Sequence, residues 1–220
     1  MKAVIAQHPT RGDARAALVR EAQEALRTNS FDAQALAALA KRAGVSQPLL
    51  HYHFRSREDL WRAAVTDAFA PLEAAFEHAS AELKGLAAAG RLELLMRRFV
   101  LFSAQHPVVA AVIVTETRRE GPRLQWLLDH HLAPLHRTVD AVLAMGVAEG
   151  GLRPLPEVHV TQAFVFAAAG FFACAPLVER LYGVDPASLV DAHADALVTL
   201  FLSGLRAEAK PARERARRLR

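Results

Sequence analysis

Side chains that can hydrogen-bond to a base or a phosphate are concentrated in one short stretch of the sequence. Gln47 carries an amide whose donor and acceptor match the edge of adenine, so it is the best candidate for reading a base pair. His51, Tyr52 and His53 follow closely, and each can contact a base or a phosphate or pack inside the fold. Arg57 stands at a predicted helix start, where it is suited to hold a phosphate. These residue types indicate contact with double-stranded DNA.

A short helix, ended by a glycine, is predicted just before these groups. Its apolar positions recur at helical spacing and are Leu36, Leu39, Ala40 and Ala43. Asp32 is a good N-cap for such a helix. Gly44 follows where a left-handed residue ends a helix at little cost.

A second short helix is predicted to carry the candidate base readers. Ser46 can cap it, and its first turn tolerates Pro48 because the missing N–H would be unpaired there anyway. Leu50 is predicted to face inward, which leaves Gln47 to face outward. A serine at position 56 with an acidic residue three positions later predicts the capping box of a further helix. Two helices joined by a tight turn are typical of a helix-turn-helix.

This segment resembles the TetR family of transcriptional regulators. The match consists of AGVS at residues 43–46, HYHF at 51–54 and SRE at 56–58. The resemblance implies an all-α fold, with an N-terminal three-helix helix-turn-helix module followed by a larger six-helix domain for ligand binding and dimerisation. The predicted DNA contacts are Gln34, Lys41, Ser46, Gln47, Pro48, Leu49, His51, Tyr52, His53 and Arg57.

The start of the first reader helix departs from the family pattern. Many relatives carry Thr and Arg there, where this chain has Gln34, Ala35 and Ala37. One contact that reads the operator is therefore missing, so the operator sequence stays open. Lys41 and its neighbour Arg42 are weaker candidates for phosphate contact, because charges near a helix C-terminus are often only solvated.

Charge is distributed unevenly along the chain. Residues 1–70 hold ten Lys and Arg against seven Asp and Glu, residues 71–205 hold ten against fourteen, and residues 206–220 hold seven against two. A basic N-terminal module suits phosphate binding, whereas an acidic body would avoid it. We therefore expect a DNA-binding domain at 1–70, an effector and dimerisation domain at 71–205, and a basic tail that is either solvated or in nonspecific contact with DNA.

Composition and motifs argue against several other classes of protein. Of the 220 residues, 52% are hydrophobic, which excludes general disorder. One cysteine, Cys174, and no signal-peptide pattern predict a reducing cytoplasm. We expect no catalytic set and no cofactor, since Ser103, Ser188 and Cys174 lack a placed base. We expect no metal either, because the adjacent His130 and His131 would point about 100° apart on a helix.

The run from residue 160 to 178 carries no charged residue and is about as long as a membrane span. One reading is a helical membrane-associated protein. The favoured reading is a core or subunit-interface helix, because Gln162, Gly170 and Pro176 lower its hydrophobicity. In the resembling family the last two helices pair with their copies, so we expect a homodimer and no membrane.

The resemblance also implies a pocket for a small, largely apolar or aromatic effector in the body. The candidate lining residues are Phe99, Phe102, Trp126, His130, Phe164 and Phe166. Each of them is also a plausible core residue. The helix that begins at Arg57 is expected to carry the effect of the ligand to the reader, as the continuous element that joins the two parts.

Overall fold

A computed structural model describes residues 11–82 and 85–207, with the side chains of residues 11, 12, 78–82 and 157 left out. Most of the predicted basic tail lies outside this range. Within it the regular elements are helices, together with one isolated β-bridge between Leu152 and Arg206. The helices are α1 (Arg11–Arg27), α2 (Leu36–Arg42), α3 (Gln47–His53), α4 (Arg57–Glu82), α5 (Ala88–Gln105), α6 (Pro107–Glu116), α7 (Pro122–Leu127), α8 (Ala133–Ala148), α9 (Glu157–Ala173), α10 (Ala175–Tyr182) and α11 (Val190–Leu205).

The first three helices and the start of α4 form a small module with one apolar core. Leu18, Leu39, Leu50 and Leu60 come from four different helices, and each is at most 1% exposed. Between α2 and α3, Gly44 adopts a left-handed φ of 68°, which a residue with a Cβ rarely adopts. The predicted helix, glycine turn and second helix are therefore present at their expected positions.

Two of the three predicted caps differ from expectation. α2 begins at Leu36 after Ala35, so Asp32 is not its N-cap. The carboxylate of Asp32 instead accepts two hydrogen bonds from Arg123, at 3.0 Å each. Ser46 occupies the N-cap position of α3 but makes no side-chain capping bond. Ser56 does cap α4, because its hydroxyl accepts the backbone N–H of Asp59 at 3.0 Å.

Helix α4 runs out of the module and into the body. It continues past Pro71, as the sequence allowed. Its first half buries Trp61 and Val65, and its second half buries Phe69 and Leu72. In the body α6 packs on α9, α5 packs on α8, α9 and α11, and α1 of the module packs on α4 and α6. One helix thus contributes to the cores of both parts.

The predicted helix from residue 122 to 149 is interrupted by one wider turn. Residues Leu128–Leu132 form a π-helical segment between α7 and α8. Sequence periodicity does not reveal such a turn, because it depends on one additional residue within an otherwise helical pattern. The turn directs His131 inward, where it is 4% exposed, and leaves His130 exposed.

The apolar run 160–178 is not one straight helix. α9 ends before Cys174, and α10 leaves at an angle of 74°. Of the small residues expected to allow close approach between subunits, Ala167, Ala168 and Gly170, Ala168 is fully buried within the protomer and the other two are half-buried. By length and composition alone, Pro186–Leu205 is the single described helix that could cross a membrane, and two bent pairs would qualify if each were counted as one span.

Candidate functional site

The outer face of α3 presents the residues predicted to read DNA. Gln47, His51 and Tyr52 are exposed, whereas Leu50 is 1% exposed and anchors the helix from behind. Gln47 and His51 are four residues apart and therefore share one helical face. Ser46 and Pro48 are also exposed, and Leu49 is half-buried. The predicted contacts on α3 thus lie on one surface, with a buried leucine behind it.

His53 belongs to the packing at the end of α3. Its ring lies 5.1 Å from the ring of Tyr52 and 6.4 Å from that of Phe54, measured between centroids. Phe54 is 4% exposed and closes the core of the module. Of the two roles open to His53, these contacts favour packing.

Two predicted DNA contacts make hydrogen bonds within the module. The amide of Gln34 donates to Ser30 Oγ at 2.6 Å and accepts from Arg42, and Arg42 also binds Glu21 at 2.8 Å. Arg57 donates to the carbonyl oxygens of Phe31 and Gln34, at 2.6 Å each. These two bonds use two of the five N–H donors of the guanidinium. Arg57 therefore holds the loop before α2, a role that its position in the sequence does not reveal.

Lys41 is an exposed cation on α2. Helices α2 and α3 pack directly on each other. A phosphate contact by Lys41 stays a prediction from the sequence.

Arg123, at the start of α7, connects the body to the module. Besides its two bonds to Asp32 it donates to Glu58 at 3.0 Å and lies 3.6 Å from Glu116. Its guanidinium carbon stands 4.9 Å from the ring centroid of Trp61. Burial raises the pKa of Glu116, although the charge of Arg123 opposes that shift. Sequence reasoning missed this cluster because its members are far apart in the chain.

Trp126 and His130 lie at the same junction and are not in the wall of the cavity, contrary to expectation. Trp126 stacks on His130 at 4.7 Å and meets Trp61 edge-on at 5.4 Å. His130 donates from Nδ1 to the carbonyl oxygen of Trp126, and His131 donates to Glu73 at 2.6 Å. The two adjacent histidines therefore bind different partners. Body and module thus also meet through α7, besides the continuous helix α4 and the packing of α1 on α6.

A largely apolar cavity opens among the helices of the body. About 660 Å³ of space lies between its walls, a figure that includes the open mouth and adjoining solvent space. Its wall consists of Phe69, Leu72, Phe76, Leu92, Leu95, Met96, Phe99, Ile113, Leu132, Leu135, His136, Val139, Val160, Thr161, Phe164 and Val165. The geometry can therefore hold an apolar molecule of moderate size.

Only two of the six residues predicted to bind ligand lie in that wall. Phe99 and Phe164 face each other with ring centroids 6.2 Å apart. Phe102 instead stacks on His106 at 4.3 Å. Phe166 is 42% exposed, because two positions along a helix from Phe164 turn a side chain to the far side. Aromatic residues in the sequence thus indicated that α5 and α9 contribute to the wall, but they did not indicate which side of each helix faces the cavity.

The outer faces of α9 and α11 leave apolar groups exposed. Phe166 on α9 and Leu200 on α11 are 42% and 69% exposed. Between these helices His193 stacks on Phe171, with ring centroids 3.9 Å apart. Burial lowers the pKa of His193. An apolar face on the last long helices is suited to contact a second copy of the chain.

Comparison with known proteins identifies the module. Residues 18–64 match the family model described as bacterial regulatory proteins, tetR family. Residues 18–64 carry the N-terminal module of the tetR family. The matched range covers α2 and α3 in full, most of α1 and the first turns of α4. This module supports the role of a DNA-binding regulator.

Solved structures with the same fold span nearly the whole chain, whereas no curated protein matches it. HlyIIR, a hemolysin II transcriptional regulator, is 14% identical with a TM-score of 0.69, covering 90% of this chain and 100% of its own. KstR2 of Mycobacterium tuberculosis, a ketosteroid transcriptional regulator, is 19% identical with a TM-score of 0.68, covering 92% and 98%. FadR from Bacillus subtilis, in complex with stearoyl-CoA, is 18% identical with a TM-score of 0.63, covering 84% and 97%. At these identities the likeness concerns the fold.

Proposed function

We propose that the chain is a homodimeric repressor that binds a palindromic operator and leaves it when a small, largely apolar effector enters the cavity. The observation that carries this proposal is the apolar cavity with α4 in its wall, since the same helix begins in the reader module. Residues 11–70 of the described chain act as the DNA-binding domain and residues 71–205 as the effector and dimerisation domain. Helix α4 crosses that boundary.

On the DNA side, α3 enters the major groove with its exposed face. Gln47 reads a base edge, and His51 and Tyr52 contact a base or a phosphate beside it. Lys41 supplies affinity that is independent of sequence. The exposed positions of Ser46 and Pro48 at the start of α3 are consistent with contact to the DNA backbone.

Dimerisation uses the outer faces of α9 and α11. Two-fold pairing would cover Phe166 and Leu200, which are otherwise exposed apolar groups. Small exposed side chains beside them, Ala163 and Ala196, would allow the helices to approach closely. A two-fold axis places the recognition helices one helical turn of DNA apart, about 34 Å, or a multiple of it, which requires a palindromic operator.

The effector acts through differential binding. To lower operator affinity a hundredfold, it must bind the form that is unable to hold DNA more tightly by about 2.7 kcal/mol. Burial of roughly 100 Å² of apolar surface in that form alone would supply this amount. Stearoyl-CoA, the ligand named for one structure of the same fold, carries a long acyl chain that suits an apolar cavity. Motion of α4 and of the α7 junction carries the change to the reader.

The test uses the full chain and one neutral fluorescent probe. Operators are selected from a pool of random DNA, and their affinity is measured by fluorescence anisotropy with and without N-phenyl-1-naphthylamine. We expect a palindrome bound by two chains, one probe per chain, and weaker DNA binding when the probe is present. Leu135→Trp, in the cavity wall, should reduce probe binding, whereas Leu128→Trp, 38% exposed and outside the wall, should not.

Three results would contradict the proposal. A chain that is monomeric at micromolar concentration by light scattering is not the proposed dimer. A probe that fills the cavity without changing operator affinity removes the effector switch. Recovery of the protein only in detergent-extracted membranes would instead support the alternative of a membrane-associated protein.

A further inference from the structure

Helix α10 leaves most of its large apolar side chains uncovered. Within its described range, Ala175–Tyr182, Val178 alone is buried. Leu177, Leu181 and Tyr182 are 58%, 65% and 73% exposed. Single exposed apolar residues are normal on a protein surface, but three of them on two helical turns form a patch, and such patches mark contact sites. The outer side of α10, which carries Leu177 and Leu181, is therefore a candidate contact surface.

Helix α10 is amphipathic, and the protomer covers only one edge of its apolar side. Successive residues of a helix point about 100° apart, so Leu177, Leu181 and Val178 fall within roughly 100° of one another. The charged Glu179 and Arg180 point to the opposite side. Val178 packs inward at one edge of the apolar side, whereas Leu177 and Leu181 occupy the other edge and remain open. This pattern is typical of a helix that packs on two surfaces, and the protomer supplies one of them.

A helix of eight residues depends on packing for its stability. Isolated helices of fewer than about 12–15 residues are marginal in water, because several residues must be ordered to form the first hydrogen bond. Within the described residues, α10 packs mainly on α9 and on the short 3₁₀ helix Pro186–Leu189. One buried side chain adds little to that packing. A second contact surface on the outer side would therefore stabilise α10 further.

The outer side of α10 continues a row of residues on α9. Steps of four, four, three and four residues, the spacing of one helical face, connect Phe166, Gly170, Cys174, Leu177 and Leu181. None of these five is buried in the protomer. The row begins on the face of α9 that is proposed to meet a second copy, and the chain bends by 74° at Cys174. Because at most about 17 Å of helix separates Phe166 from Leu177, a patch of about 800 Å², close to 30 Å across, can include both.

The size of a stable interface also favours a second copy of the chain as the partner of α10. A standard interface uses about 20–30 residues on each side. In the part of the chain that the structure describes, thirteen residues of α9 and α11 are exposed, and most of them are small or charged. The six exposed residues of α10 bring this surface close to the size that a stable dimer needs.

We propose that the outer side of α10 packs against a second copy of this chain and extends the two-fold interface beyond α9 and α11. This inference rests on the proposed function, because it concerns the same dimer. It goes beyond that function by assigning a further element to the interface, with Leu177 and Leu181 as its anchors. In a two-fold dimer each of these leucines is buried twice, so each substitution acts twice.

The experiment measures the dissociation constant of the dimer by analytical ultracentrifugation of the full chain, labelled at its amino terminus with a fluorophore. Leu177→Ser combined with Leu181→Ser should raise that constant about hundredfold or more, because four leucines of the dimer lose their apolar contact. The matched control combines Leu86→Ser with Leu128→Ser, which removes two exposed leucines outside α9, α10 and α11. The control should change the constant by no more than about twofold. Thermal unfolding checks that both double variants fold.

Hydrogen exchange of the unmodified chain gives a second measurement that needs no substitution. The backbone amides of Ala175–Tyr182 are followed by mass spectrometry at protein concentrations above and below the dissociation constant. We expect them to exchange about tenfold or more slowly in the dimer than in the monomer, because the covered helix opens less often. This measurement decides the matter if the α10 variant does not fold.

The outcomes distinguish this inference from the function on which it rests. If α9 and α11 gain protection on dimer formation and α10 does not, the proposed dimer stands and the role of α10 fails. A dissociation constant that the α10 substitutions leave unchanged, or that the control pair raises equally, also overturns the inference. Protection of α10 by vesicles of phosphatidylglycerol and phosphatidylcholine, and not by dimer formation, would assign this surface to a membrane instead. A chain that is monomeric at every concentration removes both proposals.

Discussion

The reader module and the cavity of the body are built from different kinds of contact. The contact surface of the reader lies on two short helices that are joined by a four-residue turn and rest on one core. The cavity wall draws residues from α4, α5, α6, α8 and α9, together with one from the π-helical turn. A surface made by neighbours in sequence is specified locally, whereas an enclosed space depends on how distant helices face one another. The two regions therefore differ in how directly the sequence reveals them.

The junction between the two regions combines both kinds of contact. Arg123 reaches two acidic groups of the module, Asp32 and Glu58, and one at the end of α6, Glu116. Its side chain is 19% exposed and lies over Trp61. Loss of this one residue would remove the charged contacts between the regions without touching the operator surface or the cavity, while α4 and the packing of α1 on α6 would still join them.

The largest effect on stability is expected at this junction. Arg123→Met should lower the free energy of unfolding by about 2–3 kcal/mol, because Glu116 would lose its cation in a partly buried site. The exposed pair with Asp32 should contribute well under 1 kcal/mol of that. Urea denaturation of the variant measures the loss.

Arg119→Met is the matched control. Arg119 is exposed and close to Arg123 in sequence, so its loss should change stability by no more than about 0.5 kcal/mol. Equal destabilisation by the two substitutions would show that the contacts of Arg123 contribute nothing specific to the free energy of unfolding.

The next prediction tests whether different residues of the reader surface determine sequence specificity and overall DNA affinity. Gln47→Ala should relax the preference at one base pair of the selected operator by about 1–3 kcal/mol. Lys41→Ala should weaken binding to all sequences alike and flatten the dependence on salt by about one ion. Competition with single-base operator variants at several salt concentrations measures both. A changed base preference in Lys41→Ala would contradict this division.

A smaller effect is expected at Arg57, where the sequence and the structure disagree. If Arg57 mainly holds Phe31 and Gln34 through their carbonyl oxygens, Arg57→Ala should lower the stability of the chain by about 1–2 kcal/mol. Its DNA binding, measured below the melting transition, should keep the unmodified salt dependence. A salt slope lowered by about one would instead support the phosphate clamp predicted from sequence.

The smallest effect depends on pH and arises at the α9–α11 contact. Burial holds the pKa of His193 below its ordinary value of 6.5. The unfolded chain then binds the proton more tightly, so the stability from His193 is present above pH 6.5 and is lost as pH falls. His193→Gln should reduce the loss of stability on acidification by less than about 1 kcal/mol, measured by thermal unfolding in the acid range.

Glu116 serves as a control, because its effect on the pH dependence of stability has the opposite sign to that of His193. Its raised pKa means that the folded chain binds the proton more tightly, so this group adds stability as pH falls through its folded pKa. Glu116→Gln should therefore make the acid loss steeper, while His193→Gln makes it shallower. Variants that move in the same direction would contradict one of the two assignments.

Predictions from the sequence agree with the structure where the interacting residues are close together in the chain. The glycine turn at Gly44 and the cap by Ser56 were predicted correctly, because each depends on residues within a few positions. Asp32 was assigned to a cap by the same reasoning and was wrong, since a cation 91 residues away binds both of its oxygens. Helix α2 also begins only at Leu36, three residues too late for Asp32 to stand at its N-cap.

The residues that line the cavity of the body were also predicted only in part. Aromatic residues selected α5 and α9 correctly, since Phe99 and Phe164 line the cavity. Trp126 was misplaced because the side chains that surround it, Trp61 and His130, come from a packing between regions. The periodicity of one helix does not indicate which apolar side chains of other helices will pack against a given residue such as Trp126.

The amino-acid sequence by itself determined the helical class and the reader module with its turn, because helix periodicity, caps and a glycine conformation are local properties of the chain. Its short motifs also revealed the resemblance of this module to the tetR family. The tertiary structure alone decided the bend at Cys174, the π-helical turn, the Arg123 junction and the apolar cavity. Each of these depends on which side chains meet across helices distant in sequence. These contacts depend on the packing of the whole core, because the position of each inward-facing side chain limits the positions of its neighbours.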